Sequence, residues 1–284
     1  MRKRTTHVRL DEIGYWSEIK LDIVREYAQA YSTVMTKQAS IRRYLYVDAF
    51  AGAGVHISKQ TGEFIPGSPL NALNVSPQFT EYHFIDLDGD KADHLRQLAS
   101  GNPRVTVHEG DCNSVLLDKV FPKARWADYH RALCLLDPYN LTLKWEVLQT
   151  AGEQKSIEIF LNFMVMDLNM NVLRRNPDNV PPAQIARMDA VWGDDTWRKM
   201  LYHKPAGLLP GFDDLEEKAT NAEVAEAFRE RLQKVAGFNF VPEPIPMRNT
   251  RGAVVYYLFF ASPNETGAKI VRDIFNKYRN RGMT

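Results

Sequence analysis

The residues best suited to chemistry lie between Tyr44 and Gly54, where the chain reads Tyr-Leu-Tyr-Val-Asp-Ala-Phe-Ala-Gly-Ala-Gly. A short apolar, β-branched and aromatic run reaches Asp48, and Gly52 and Gly54 follow. A buried parallel strand ends this way when its C-terminal edge must hold a ligand. Glycine lets the backbone turn sharply and approach that ligand with no Cβ in the way. Two ligands commonly sit on such an Asp-x-Phe-x-Gly-x-Gly turn, a dinucleotide or S-adenosylmethionine (SAM). The dinucleotide fingerprint needs a third glycine three residues after the second. Ile57 stands there instead, which favours SAM over a nicotinamide or flavin. A tight turn with no ligand is the plain alternative.

Further acidic residues recur where later strands should end. Asp86 closes the run Tyr82 to Ile85 and is placed to accept hydrogen bonds from ribose hydroxyls, while Asp88, before Gly89-Asp90-Lys91, reads as a helix cap. Asp86 lies further from the glycines than the roughly 20 residues of a dinucleotide fold, which again disfavours that reading. Asp111 follows the strand from Arg104 to His108 and suits an adenine amine; its alternative is a cap on the helix from Asn113 to Lys119. Cys112 reads as a small filler rather than a nucleophile, since no histidine neighbours it in sequence. His108 reads as structural. Asp137-Pro138-Tyr139-Asn140 breaks the apolar run Ala132 to Leu136. There a carboxylate can hold a substrate amine, a proline stiffens the backbone, and an aromatic face can stack on a planar substrate. Turn chemistry ahead of a helix from Leu143 to Thr150 explains the same four residues.

The elements that must carry these residues follow from periodicity. Ile19, Ile23, Tyr27, Ala30 and Val34 recur at helical spacing from Trp16 to Thr36, with Lys20, Asp22, Arg25 and Glu26 on the polar face. Met1 to Arg9 is basic and polar and reads as a mobile segment. Val55 to Gly67 shows no clear period. Gly67-Ser68-Pro69 starts a helix, with Ser68 as N-cap and Pro69 in the first turn; that terminus could offer N–H groups to a cofactor carboxylate, with Ser68 a ligand or only a cap. A fifth strand covers Ile157 to Phe163. Met164 to Lys218 reads as a largely helical insertion beside the site, where Trp192 and Trp197 suit a local core and Arg174 and Arg175 suit a solvated face or a phosphate. Asn221 to Val235 is an amphipathic helix. Phe238 to Ile245 and Ala253 to Ser262 form an antiparallel hairpin, and a last helix starts at Asn264. The expected fold is α/β: a seven-stranded, mostly parallel sheet with one antiparallel strand, helices on both faces and a helical insertion after strand 5. Residues 1–284 read as a single domain, divided into an N-terminal helical part (11–40), a cofactor-binding half (44–163), the insertion (164–218) and a C-terminal half (219–284).

Composition sets outer limits. The chain has 284 residues, 44% hydrophobic and 25% charged, which is ordinary for a globular protein with a substantial core. Two cysteines, Cys112 and Cys134, are too few for a disulfide framework or a zinc site built on cysteine pairs, and no metal is expected. No apolar run suits a bilayer span or secretory signal, so the expected location is cytoplasmic. A net charge of +1 leaves any nucleic-acid contact to local clusters.

Taken together, Tyr46 to Gly54, Gly67-Ser68-Pro69-Leu70, Phe84-Ile85-Asp86, Gly110-Asp111, Leu136-Asp137-Pro138-Tyr139 and Trp192-Gly193-Asp194 resemble the three-Cys-motif partner protein family across nearly the whole chain. Its members look like class I SAM-dependent methyltransferases with a Rossmann-like fold and, more distantly, like ribosomal RNA adenine N6-methyltransferases. The resemblance implies a cofactor set of Asp48, Phe50, Ala51, Gly52, Gly54, Ser68, Asp86, Asp111 and Cys112. Within it Asp48, Gly52 and Gly54 would line the methionine part, Asp86 the ribose and Asp111 the adenine. Asp137, Pro138 and Tyr139 would hold the accepting amine. It also implies a partner similar to radical-SAM enzymes, which carries the three cysteines. Base amino-methyltransferases usually carry two prolines before the aromatic residue, whereas one stands before Tyr139. The expected function is N-methylation of an amine, with an RNA or DNA base as candidate substrate. The alternatives are a small-molecule or peptide methyltransferase, and a catalytically silent adaptor for the radical-SAM-like partner.

Overall fold

The computed structural model describes residues 10–203 and 216–279, so the expected mobile stretch Met1 to Arg9 and part of the 164–218 insertion lie outside it. Strands are β1 (Asp11–Ile13), β2 (Arg43–Asp48), β3 (Val55–Ser58), β4 (Phe64–Pro66), β5 (Glu81–Asp86), β6 (Val105–Glu109), β7 (His130–Leu136), β8 (Ile157–Phe163), β9 (Tyr202–His203), β10 (Glu217–Lys218), β11 (Ile245–Arg248) and β12 (Val254–Ala261). Helices are α1 (Tyr15–Thr36), α2 (Ser68–Leu73), α3 (Gly89–Leu98), α4 (Cys112–Val115), α5 (Trp145–Gln154), α6 (Val165–Asn171), α7 (Pro182–Trp192), α8 (Trp197–Met200), α9 (Asn221–Lys234) and α10 (Glu265–Arg279).

Seven strands form the central sheet in the order β11-β12-β8-β7-β2-β5-β6. β2 pairs in parallel with β5 and β7, and β12 runs antiparallel to both β8 and β11. Numbered along the sheet strands alone, the order is 6-7-5-4-1-2-3 with the seventh reversed, which fulfils the expected sheet. Alternate residues face opposite layers, as a period of two requires. Leu45, Val47, Cys134 and Leu136 join a core that includes residues of α5, α7 and α9, whereas Tyr44, Tyr46, Leu133 and Leu135 join one that includes residues of α1, α2 and α10. Helices therefore cover both faces. Among the described residues, no helix is long and apolar enough to cross a membrane.

Several local expectations are corrected. Val55 to Gly67 is a β3–β4 hairpin that joins β1 in a small second sheet. Its strands are three or four residues long and partly exposed, too short to print a period. Phe238 to Ile245 is not a strand until Ile245, because Pro242 and Pro244 lack the N–H that a ladder needs. The helix expected from Asn113 begins at Cys112 and passes into a wider π-helical turn over Leu116–Val120. Gly67, not Ser68, caps α2. A Cβ on Gly67 would stand 2.9 Å from the Gly54 carbonyl oxygen, so that position stays bare and Ser68 moves into the first turn. Asp88 caps α3 as expected, and a Thr220–Glu223 capping box starts α9. Trp192 and Trp197 are buried in the insertion, while Arg174 and Arg175 are exposed.

Candidate functional site

The turn after β2 is shaped by its glycines. Gly52 and Gly54 hold φ +62° and +79°, the left-handed region where a side chain costs about 1–2 kcal/mol. Open space lies where a Gly52 Cβ would stand. Ala51 N–H donates to the Ile85 carbonyl at 2.9 Å, and Gly52 N–H donates to Asp86 Oδ2 at 2.8 Å. The other oxygen of Asp86 accepts from Asp88 N–H at 2.8 Å. Asp86 therefore ties the glycine turn to the end of β5, with lone pairs left over.

Asp48 is fully buried. Burial pushes its carboxyl up to about 7, against the pull of the Ser68 hydroxyl and with a further push from the charge of Asp137. Phe50 N–H donates to Asp48 Oδ1 at 3.3 Å. Ser68 thus serves this carboxyl rather than the helix end.

A cavity of about 400 Å³ opens beside the turn, within the range of small-ligand pockets. Phe50, Gly52, Ser68, Asp137, Pro138 and Tyr139 all line it. Asp48, Ala51, Gly54, Asp86, Asp111 and Cys112 do not. Asp111 caps α4 by accepting from Ser114 N–H at 3.1 Å, the contact that its capping alternative describes. Cys112 is buried, and burial, followed by the charge of Asp111, pushes its thiol up to about 12, which suits a filler. His108 stacks on His83, with facing ring nitrogens 3.0 Å apart.

Around Asp137 the structure adds residues that periodicity did not single out. Lys20, assigned to the polar face of α1, is buried and forms an ion pair with Asp137 Oδ2. Burial disfavours its ammonium, but Asp137, Tyr256 and Asp48 together more than offset that, and its pKa lies above the ordinary lysine value. Asn162 Nδ2 donates to Asp137 Oδ1, while Asn162 Oδ1 is buried with no hydrogen-bond partner among the described residues. Buried polar atoms are rarely left so. One signal for Asn162 was available: it is a polar residue inside β8, where every position is buried. No local signal marked Lys20, because its partner lies 117 residues away.

β1 lines the cavity through Asp11, Glu12 and Ile13. Asp11 accepts from the Tyr139 hydroxyl at 3.2 Å and from Lys91 Nζ at 2.8 Å. Tyr139 remains 67% exposed, so its ring is available to a ligand. His56 lines the same space, its Nδ1 buried and unpartnered among the described residues. No group of three or more His, Cys, Asp or Glu side chains among the described residues is arranged to hold a metal ion.

Of the residues expected to hold SAM, Phe50, Gly52 and Ser68 line the cavity, and Asp86 is tied to the glycine turn beside them, which fits a ligand seated on that turn. No family model matches the sequence, and no curated protein matches it. Solved structures similar to it include a Legionella pneumophila protein of the family model DUF519, 13% identical over 92% of this chain and 93% of that one, TM-score 0.49. A carbon methyltransferase, CurJ, is 12% identical over 88% of this chain and 56% of that one, TM-score 0.44. A methyltransferase from Geobacter sulfurreducens is 13% identical over 84% and 78%, TM-score 0.38. By its own strand order, with the seventh strand reversed beside the fifth, the chain has the Rossmann-like fold of class I SAM-dependent methyltransferases.

Proposed function

We propose that the protein is a SAM-dependent methyltransferase acting on an amine nitrogen, with a nucleic-acid base as the favoured substrate. The observation that carries this reading is Asp137 in the cavity wall, its carboxylate held by Lys20 on one oxygen and Asn162 on the other beside Pro138 and the exposed ring of Tyr139.

When bound, the cofactor supplies a methyl group on a sulfonium, an electrophile needing no further activation. Asp48, Phe50, Ala51, Gly52 and Gly54 would hold its methionine end, with Ser68 keeping Asp48 in place. Asp86 would hold the ribose, and Asp111 and Cys112 would border the adenine. Asp137 would orient the accepting amine, Pro138 fix the backbone beside it, and Tyr139 stack on its ring. Holding two reactants at near-attack distance supplies much of the acceleration in such a displacement. The Lys20 ammonium pairs with Asp137 and holds its carboxylate in place. A base within a duplex would have to be flipped out.

Membership in the three-Cys-motif partner family belongs to the same proposal, and with it a radical-SAM-like partner. The alternative of a catalytically silent adaptor rests on that resemblance alone. Calorimetry with SAM, followed by tritium transfer to RNA, DNA and small-metabolite pools, tests the proposal. Asp137→Ala should abolish transfer and leave SAM affinity within a few-fold. Wild-type turnover in that variant would remove Asp137 from the mechanism, and absence of SAM binding would favour the adaptor.

A further inference from the structure

The opposite edge of the central sheet, where the parallel strands begin, carries a second concentration of chemistry. β2 starts at Arg43 after Arg42, β6 follows Arg104, and the segment from Lys123 leads into β7 through Arg131. Pairing sets Arg43 opposite His130 and Tyr44 opposite Arg131. Neighbouring strands lie about 4.8 Å apart and alternate residues face opposite layers, so Arg43 stands beside His130 on one face and Arg131 on the other, with both at this end of the sheet. Along these segments Arg42, Arg43, Arg104, Lys123, Arg125 and Arg131 are set against two carboxylates, Glu81 and Asp128. Glu81 lies 2.8 Å from Lys123 and 3.7 Å from Arg43, and Asp128 lies 3.6 Å from Arg125. A positive excess remains on a chain whose net charge is only +1.

Aromatic rings are interleaved with this charge. The Arg131 guanidinium lies 3.5 Å from the centre of the Trp126 ring, and that of Arg42 lies 5.5 Å from the centre of Tyr129. Trp126 is 55% and Tyr129 48% exposed. Arg131 lies over one face of the indole, while more than half of Trp126 stays exposed. Cations that neutralise phosphates, set among rings on which bases stack, are how proteins hold single-stranded nucleic acid. A duplex hides its base faces. An anionic membrane or acidic peptide would use the charges and leave the rings without a role.

We infer that the edge formed by Arg42, Arg43, Lys123, Trp126, Tyr129 and Arg131 binds single-stranded nucleic acid, with phosphates on the cations and an unpaired base on Trp126. β7 spans seven residues between this edge and Asp137, about 23 Å at the rise of a strand. The surface is therefore separate from the cavity. Its occupancy does not depend on methyl transfer, though it would supply the proposed enzyme with a polymeric substrate.

Anisotropy of fluorescein-labelled 20-mers of oligo(dT) and oligo(U), titrated from about 50 to 300 mM salt, tests this. Wild-type protein should bind with an affinity that falls steeply with salt. Arg42→Glu with Arg43→Glu should weaken it about tenfold or more and flatten the salt slope. Trp126→Ala should weaken it about five- to tenfold with the slope retained. Arg42→Glu alone, at an exposed site, covers the case in which the double variant folds poorly. SAM calorimetry on the same variants should be unchanged, so failure of this surface and failure of the methyltransferase reading give different results. Oligonucleotide affinity equal in wild type and variants would overturn the assignment. So would binding to phosphatidylserine vesicles with none to either oligomer.

Discussion

Lys20 of α1 and Asp137 beyond β7 form a buried ion pair that joins the first helix to the floor of the candidate site. The lysine side chain is 9% exposed and the aspartate 26%, so neither charge is well served by water. Removing one partner leaves the other uncompensated. Lys20→Met should cost about 3 kcal/mol and lower methyl transfer about 100-fold through a misplaced carboxylate. Adding Asp137→Asn to Lys20→Met should recover most of the stability and none of the activity. Urea unfolding beside a transfer assay reads both, and additive stability losses would show that the pair is not coupled.

Gly52 and Gly193 both hold positive φ, yet they should fail differently. Gly52→Ala would place its methyl in open space at the cavity wall, costing about 1–2 kcal/mol of strain and lowering SAM affinity. At Gly193, with φ +97°, a Cβ would stand 2.4 Å from Trp145 Cδ1. Gly193→Ala should cost more than about 3 kcal/mol, since strain and overpacking add. Thermal melts with and without SAM separate the two. Equal melting losses would mean that the glycine turn is as tightly packed as the insertion.

Glu158 of β8 should give the protein a pH-dependent stability. Burial pushes its carboxyl up to about 7, against hydrogen bonds from Tyr27 and Ser262 that pull it down. The folded pKa is thus above the unfolded one. The stabilisation is present in full below about pH 4.3 and is lost as pH rises to about 7, a change on the order of 3 kcal/mol. Buried Asp48 adds a loss over the same window. Unfolding free energy should fall between pH 5 and pH 8, and Glu158→Gln should fall distinctly less. A parallel fall in the variant would assign the whole dependence elsewhere.

Tyr139 is mostly exposed and touches the rest of the site through its hydroxyl on Asp11. Tyr139→Ala should change stability by less than about 0.5 kcal/mol and raise the KM for a planar substrate about tenfold. Tyr139→Phe keeps the ring and should behave like wild type. If both variants lose activity equally, the hydroxyl and not the ring is what matters.

The strands, their order of appearance and the glycine turn were legible from the sequence, because apolar runs and glycine spacing are local consequences of burial and backbone geometry. So was the cap at Asp88, since its carboxylate meets N–H groups within three residues. The β3–β4 hairpin was not, because its short strands gain order from β1, more than forty positions earlier in the chain. Ser68 read as a cap because its sequence context is that of one; only the contact of Gly67 with Gly54 displaced it. Lys20 read as a surface lysine, because its charge places it with Asp22, Arg25 and Glu26 on the polar face of the helix. Its burial was decided by folding, which brought a carboxylate from a distant strand end to the one place where a buried ammonium could be neutralised.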